Sequence, residues 1–184
     1  ISGIVINKSD EHYQGLFGCS KGTIMNVGVI NSSIKGGNYV GGVCGRNNGT
    51  ITNCYNTGAV SGTDKVGGVC GINGFICEIT NCYSTGTVSG TQYVGGVCGY
   101  NDQGRFENCY YNKDSYTGDG LGYFYNALPN DVLGMTTKQF ASGEVAYPLN
   151  GDQSTINRKH NIREDESHAS AGGTDYRNQA NAGC

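Results

Sequence analysis

Apolar residues in the first part of the chain occur in short groups, which glycine or asparagine interrupts every few positions. They do not recur with the i, i+3, i+4, i+7 spacing of an amphipathic helix, so the pattern argues against helices here. Each period instead contains three short stretches rich in β-branched or aromatic residues, of the types VGGVC, TITNCY and AVSG. This pattern predicts three short strands per period, separated by Gly or Asn corners.

The period itself is close to constant. Four units begin at Tyr13, Val40, Val66 and Val94, with spacings of 27, 26 and 28 residues. Repeats of this length that contain only short strands are typical of the coils of a β-solenoid. The sequence therefore predicts an all-β fold, a right-handed parallel β-helix of about four coils with three short strands each. A short helical or irregular cap is predicted at its C-terminal side.

Stacked coils would place equivalent side chains one above another in columns. Two predicted core columns are Phe17, Cys44, Cys70 and Cys98, and Val27, Cys54, Cys82 and Cys109. Cysteine exchanges with Phe and Val in these columns, which suits a compact buried side chain and not a metal ligand. We therefore predict packed core thiols.

Disulfides remain an alternative for these cysteines, because equivalent residues on neighbouring coils would lie within bonding range. Three cysteines in a column cannot all pair vertically, so such bonding would be partial. Cys19, Cys77 and Cys184 lie outside both columns. Of these, Cys77 and Cys184 are predicted to be the more exposed thiols.

Asparagine precedes the second column in every unit, at Asn26, Asn53, Asn81 and Asn108. Asn tolerates the left-handed conformation and its amide can bond to the Asn above it, so we predict an asparagine ladder at one corner. Tyr55, Tyr83 and Tyr110 follow two residues later and are predicted to point outward as a row. This row is interpreted mainly as cover for the strand edge, with a sugar-stacking strip as the alternative.

The units resemble the GLUG motif, a glycine-rich repeat of large bacterial surface proteins and of the non-catalytic part of zinc-dependent IgA-specific metallopeptidases. The matching residues are GGVCG and GTITNCYNTGAVSG in the second unit, with close copies in the third, and the resemblance covers residues 13 to 112. It implies a secreted or cell-surface β-solenoid and no particular activity. GLUG units usually carry an aliphatic residue where Cys44, Cys70 and Cys98 stand, which supports the packing interpretation.

Changes in composition predict four regions. Residues 1–12 are expected to end a preceding coil of a longer protein, and residues 13–112 to form the repeats. Residues 113–154 are predicted to be a loop and capping segment with a short helix, N-capped by Thr136 or Thr137. Residues 155–184 are polar and are predicted to be an irregular tail, either native or the product of a reading-frame shift near Ser154.

Composition also limits the function. The net charge of −3 and the scattered Lys and Arg residues favour neither nucleic acid nor an anionic membrane, and the chain contains no apolar run of membrane-spanning length. There is no H-E-x-x-H motif, and His12, His160 and His168 lack metal-ligand spacing. We therefore predict no catalytic residue, no metal site and no cofactor.

Two hypotheses about function remain open. The first is a non-catalytic structural or adhesive module of a bacterial cell-surface or secreted protein. Such a module would act as a stiff spacer or present a polar and aromatic face to host protein or glycan, and end-to-end or side-to-side self-association is also possible. The second is an accessory repeat region of an extracellular peptidase or polysaccharide-active enzyme whose catalytic domain lies outside this sequence. Both place the protein outside the cell, although no signal peptide is present at Ile1.

Overall fold

The computed structural model describes residues 1–125 and 132–149, so the predicted tail and Cys184 lie outside the described residues. Within these ranges the chain forms 21 short strands and two short helices. In chain order the strands are β1 (Val5–Asn7), β2 (Phe17–Ser20), β3 (Thr23–Met25), β4 (Gly28–Val29), β5 (Ser33–Lys35), β6 (Asn38–Gly41), β7 (Cys44–Asn47), β8 (Thr50–Thr52), β9 (Tyr55–Asn56), β10 (Ala59–Ser61), β11 (Asp64–Gly67), β12 (Cys70–Asn73), β13 (Glu78–Thr80), β14 (Tyr83–Ser84), β15 (Val88–Ser89), β16 (Gln92–Gly95), β17 (Cys98–Asp102), β18 (Arg105–Glu107), β19 (Cys109–Asn112), β20 (Leu121–Tyr125) and β21 (Val132–Met135). The helices are α1 (Thr137–Ser142) and α2 (Ala146–Leu149). Neither helix is long and apolar enough to cross a membrane, and this holds for the described residues only.

The strands pair in parallel with the equivalent strands of the neighbouring coils. They form five sheets, ordered β1-β5-β10-β15, β6-β11-β16, β2-β7-β12-β17-β20, β3-β8-β13-β18 and β4-β9-β14-β19-β21. Because each sheet takes one strand from each successive coil, the fold is an all-β solenoid, with about five turns. The predicted all-β fold with a parallel β-solenoid is confirmed, although it has about five turns where about four coils were expected.

The prediction of three strands per coil is wrong, because a full coil such as 38–61 contains five. Two of the predicted strands are each divided by a corner. The VGGVC stretch separates into β6 and β7 around Gly42 and Val43, and the TITNCY stretch separates into β8 and β9 around Asn53. Asn53 lies between β8 and β9 and has a backbone φ of 52°, in the left-handed region, which turns the chain at this corner.

Glycine is required where two corners of the backbone pack closely. A Cβ added to Gly41, Gly67 or Gly95 would lie 2.2, 2.1 or 2.1 Å from the carbonyl oxygen of the cysteine three residues later. Backbone atoms cannot move aside as a flexible side chain can, so no larger residue fits. The repeated GGVCG motif therefore indicates a tight corner of the backbone in each coil.

The core consists of columns of small and branched side chains. In-register pairing aligns Phe17, Cys44, Cys70, Cys98 and Leu121. Other buried columns are Val43, Val69 and Val97, and Ile24, Ile51, Ile79 and Phe106.

Two members of the predicted core columns are less buried than expected. Phe17 is 39% exposed and is not a core residue, because β2 is the outermost strand of its sheet and nothing described stacks on its outer side. Val27 is half-buried and packs against the edge of the core. Each of the two columns is therefore less buried in its first coil than in the coils that follow.

Cys77 corrects another expectation, because it is buried with only 7% of its surface exposed. It lies in the insertion of the third unit, whose chain folds back onto the stack. The side-chain amide of the buried Asn73 donates to the carbonyl oxygen of Cys77 at 3.2 Å, which holds the insertion against the coil. Cys19 is exposed, and all eight described cysteines are free thiols.

The stack extends on both sides of the predicted repeat region 13–112. Strand β1 pairs with β5, while β20 and β21 pair with β17 and β19. Helix α1 begins at its N-cap Thr136, whose side chain accepts from the backbone of Gln139, and it ends at Gly143 with φ 87°. The helices lie along the side of the solenoid, because α1 contacts β14, the third strand of its sheet.

Candidate functional site

The outer asparagine ladder, Asn26, Asn53, Asn81 and Asn108, runs along one corner of the solenoid. Each side-chain amide donates to the amide oxygen of the asparagine in the preceding coil, at 3.2 Å in all three steps. All four residues are left-handed, with φ between 50° and 58°. Asn accepts this conformation more readily than most residues, so the ladder and the corner depend on the same side chain.

The tyrosine row, Tyr55, Tyr83 and Tyr110, lies beside this ladder. The rings of Tyr55 and Tyr83 are stacked, with centroids 5.0 Å apart and planes 3° from parallel. The Tyr55 ring covers Gly28 of the preceding coil, where an added Cβ would lie 2.3 Å from Tyr55 Cζ. The row therefore continues the vertical stacking of the coils.

Tyr110 is in register with Tyr83 on the same face, but it is only 4% exposed and so does not contribute to the predicted surface row. Strand β21 stacks directly on β19 and places Leu133 in register with Tyr110, so the last ring is covered by the next coil. Tyr83 is half-buried beneath α1, with its ring centroid 5.8 Å from that of Phe140. Burial, with a smaller contribution from Tyr55, raises the pKa of Tyr83 to about 12.

This stacking determines which parts of the row a ligand could reach. A sugar ring stacks on the face of an aromatic ring. The rings of Tyr55 and Tyr83 are stacked on each other, so the faces between them are not available to a ligand. The row can therefore offer edges and hydroxyl groups, which form hydrogen bonds instead of stacking contacts.

A groove of about 460 Å³ lies between this face and α2. Amide and phenol groups form one wall, and Ala146 and Leu149 form the other. The lining residues are Asn26, Asn53, Asn81, Cys54, Tyr55, Tyr83, Ala146 and Leu149. We call this space the side groove. Its mixture of convergent polar groups and apolar wall is typical of sites for small ligands.

A second aromatic surface was not predicted. The lysine–tyrosine face consists of six residues from several coils: Tyr13, Tyr39, Lys65, Tyr93, Tyr100 and Tyr123. Four of them, Tyr13, Tyr39, Lys65 and Tyr93, immediately precede the first residue of the VGGVCG motif or its equivalent, and all four are left-handed. Reading the column directly before each VGGVCG would have revealed Tyr39, Lys65 and Tyr93.

Lys65 occupies the middle of this face. Its ammonium lies 5.2 Å from the ring centroids of both Tyr39 and Tyr93, and 5.6 Å from that of Tyr100. It is also hydrogen-bonded to the carboxylate of Asp64. Burial lowers the pKa of Lys65, but the hydrogen bond and charge of Asp64 outweigh it and the pKa is raised. The face thus holds a neutralised ion pair between stacked rings.

An inner asparagine ladder was also missed. The amide of Asn47 donates to Asn73 at 2.8 Å, and that of Asn73 donates to Asn101 at 3.3 Å, with all three side chains buried. Asn47 and Asn101 also accept from the backbone N–H of Gly49 and Gly104. The signal in the sequence is an asparagine three residues after each motif cysteine.

The core cysteines are hydrogen-bonded in a regular way. In the first column the thiols of Cys44 and Cys70 donate to the carbonyl two residues later, both at 3.1 Å. In the second column Cys54 and Cys82 donate to the carbonyl two residues earlier, also at 3.1 Å. A thiol thus packs as a small apolar group and also bonds a corner carbonyl, which valine could not do.

Metal and redox chemistry of the thiols depends on their ionisation. Burial raises the pKa of Cys70 and of Cys82 well above the usual range, and neighbouring thiols add to this effect. Across residues 1–125 and 132–149, no group of three or more His, Cys, Asp or Glu side chains is arranged to hold a metal ion.

Comparison with known proteins agrees with this architecture. The model of the GLUG motif matches residues 36–61, 65–89 and 90–110, which correspond to the second, third and fourth units. Over 64 residues the chain is 44% identical to Halomucin of Haloquadratum walsbyi, a stretch that is 34% of this chain and 1% of Halomucin. No solved structure matches the chain significantly.

The fold and its stacked faces define the class as a β-solenoid repeat module. The chain carries GLUG-motif repeats, as the resemblance predicted, although its first unit lies outside the matched residues. GLUG repeats in a solenoid are structural modules and not catalytic ones. Together with the similarity to Halomucin, they suggest a repeat module of a surface protein.

Proposed function

We propose that this chain is a stiff, non-catalytic module of a cell-surface or secreted protein, which holds other parts of that protein away from the surface. The observation that supports this proposal is the continuous parallel pairing of all five sheets along the stack. Bending or stretching such a rod must disturb backbone hydrogen bonds in several sheets at once. Two asparagine ladders add side-chain bonds along the same axis.

Stiffness can be tested by pulling single molecules from both ends. The expected result is unfolding in steps, coil by coil, at a force that falls when Gly67 is replaced by Val, because the new side chain would meet backbone atoms. A chain that extends smoothly without force peaks would contradict the spacer role.

Antibody labelling of intact cells that make the natural protein tests the surface location, and labelling only after lysis would contradict it.

The module also presents the side groove to an extracellular ligand, and its chemistry favours a glycan. Amides and phenol hydroxyls are the groups that bond sugar hydroxyls, and the aliphatic wall suits the less polar side of a sugar ring. A host protein is the other possible ligand and is distinguished by the test. End-to-end or side-to-side contact between copies of the module would extend the same surface.

A glycan array with hydroxyl-deletion variants tests this part of the proposal. Replacing Tyr55 and Tyr83 by Phe keeps the stacked rings but removes both groove hydroxyls, so glycan binding should weaken about tenfold. Tyr125→Phe is the matched control, because Tyr125 is exposed and does not line the groove. Equal binding by all variants, or binding to host protein without any glycan signal, would contradict the glycan site.

A further inference from the structure

The two cysteines Cys54 and Cys82 are vertical neighbours in the second thiol column. Paired parallel strands lie about 4.8 Å apart, within the range of Cα separations that disulfides span. The backbone N–H of Cys54 donates to the sulfur of Cys82 at 3.4 Å. The sulfurs are therefore close enough to bond after a small adjustment of the side chains.

Access distinguishes this pair from the other thiols of the columns. Cys54 is buried in the sense of surface area, but it lines the side groove, between the outer asparagine ladder and the tyrosine row. Cys44, Cys70 and Cys98 do not line the groove, and neither do Cys82 and Cys109. A small reagent that enters the groove would meet Cys54 before any other core thiol.

We propose that Cys54 and Cys82 are a redox site, which forms a disulfide between adjacent coils when a low-molecular-weight disulfide enters the side groove. The Cys54 thiolate attacks one sulfur of that disulfide, forming a mixed disulfide and releasing one small thiolate. Cys82 loses its proton to the released thiolate and attacks the sulfur of Cys54. The bond between Cys54 and Cys82 forms as the second small thiolate leaves and is protonated. Two protein thiols are oxidised and one small disulfide is reduced to two thiols.

The ionisation of the two thiols is consistent with this order. The neighbouring thiol of Cys82 lowers the pKa of Cys54 to about 7, although burial opposes the shift. Burial raises the pKa of Cys82 well above its usual value. The thiolate is the attacking species, so Cys54 reacts first and Cys82 resolves. Cys109, the third thiol of the column, stays reduced because each sulfur can form only one such bond.

The test treats the full chain with 2-hydroxyethyl disulfide at neutral pH, blocks free thiols under denaturing conditions and maps the linkages by tandem mass spectrometry. A Cys19→Ser background removes the one exposed thiol of residues 1–125 and 132–149. The expected product is a peptide in which Cys54 is joined to Cys82, with Cys44, Cys70, Cys98 and Cys109 alkylated. A linkage within the first column, or no linkage while Cys54 stays reduced, would overturn the proposal.

Two variants separate this site from general oxidation. Cys54→Val uses the residue that stands in the first coil of this column and should abolish the linkage without unfolding, as judged by circular dichroism. Cys44→Val is the matched control in the other column and should leave the linkage intact. If Cys54→Val does not fold, the rate of alkylation of the native protein provides the readout. Cys54 should react about tenfold faster than any other column thiol, and equal rates would refute the proposed access.

Discussion

In both the tyrosine row and the lysine–tyrosine face, equivalent side chains of successive coils stack on each other, but the contacts they form are different. Tyr55 and Tyr83 stack with parallel rings and receive Phe140 of α1, so this face supports the helical segment. On the other face the stack between Tyr39 and Tyr93 is interrupted by Lys65, which pairs with Asp64. The comparison shows that vertical alignment specifies contact between equivalent positions, while the side chain placed there determines whether the contact is apolar or ionic.

The largest expected effect is that of Tyr83→Ala. This change removes a half-buried ring that contacts both Tyr55 and Phe140, and it should lower the free energy of unfolding by about 3 kcal/mol. Tyr93→Ala on the other face is the matched control and should cost about 1 kcal/mol, mainly lost contact with Lys65 and neighbouring rings. Chemical unfolding of both variants measures the difference. Equal losses would show that the helix adds nothing to the tyrosine row.

The next effect concerns the ion pair. Lys65→Met leaves the Asp64 carboxylate, whose side chain is 18% exposed, without its counterion, and should destabilise the protein by about 2 kcal/mol. The double change Asp64→Asn with Lys65→Tyr copies Asn38 and Tyr39 of the preceding coil. It should recover most of the loss in the same unfolding measurement. A double variant as unstable as Lys65→Met would mean that this coil requires the charges themselves.

A smaller effect is expected from Asn53→Ala, in the ladder beside the tyrosine row. Alanine loses two amide bonds and accepts the left-handed backbone poorly, which together should cost about 1.5 kcal/mol. Asn53→Gly loses the same bonds but keeps the conformation easily, so its loss of unfolding free energy should be about half as large. If the two variants were equally stable, the corner would carry no strain.

The smallest effect, absent at neutral pH, is the response of the two faces to alkali. The folded pKa of Tyr83 is raised to about 12 from an ordinary 10, so its contribution to stability is complete below pH 10 and is lost between pH 10 and 12. Lys65 also has a raised pKa, so its contribution is complete below about pH 10.5 and is lost as pH rises further. Tyr83→Phe should flatten the fall of stability between pH 10 and 12, and an unchanged slope would contradict the assignment.

The sequence was a good guide wherever equivalent positions carried equivalent residues. Cys44, Cys70 and Cys98 stand four residues after the first valine of each glycine motif, and each outer-ladder asparagine directly precedes the second column, so aligning the units placed both sets in columns. The same reasoning would have found the inner ladder of Asn47, Asn73 and Asn101, since the spacing from cysteine is constant. The sequence therefore contains the information that is needed to predict the inner ladder.

Other features depended on what lies next to a position in space. Phe17 and Cys44 are equivalent in the repeat, yet only the cysteine has coils on both sides. Tyr83 and Tyr110 are likewise equivalent, yet Tyr110 is covered by a strand from the segment that follows the repeats. The burial of a residue depends on its neighbours in space. A repeated motif therefore cannot specify burial at the ends of a stack or beneath an added helix.

The amino-acid sequence by itself determined the solenoid, its period, its glycine and asparagine corners and its cysteine columns, because in-register stacking converts a linear repeat into vertical contacts. Tertiary structure alone decided that each coil has five strands, that α1 and α2 lie along the side, and that Cys54 lines a groove. The corners that divide the strands arise within each coil, while the position of the helices and the groove arise where the chain after the repeats packs against coils far away in sequence. Such contacts depend on surface shape in three dimensions, which the repeat does not encode.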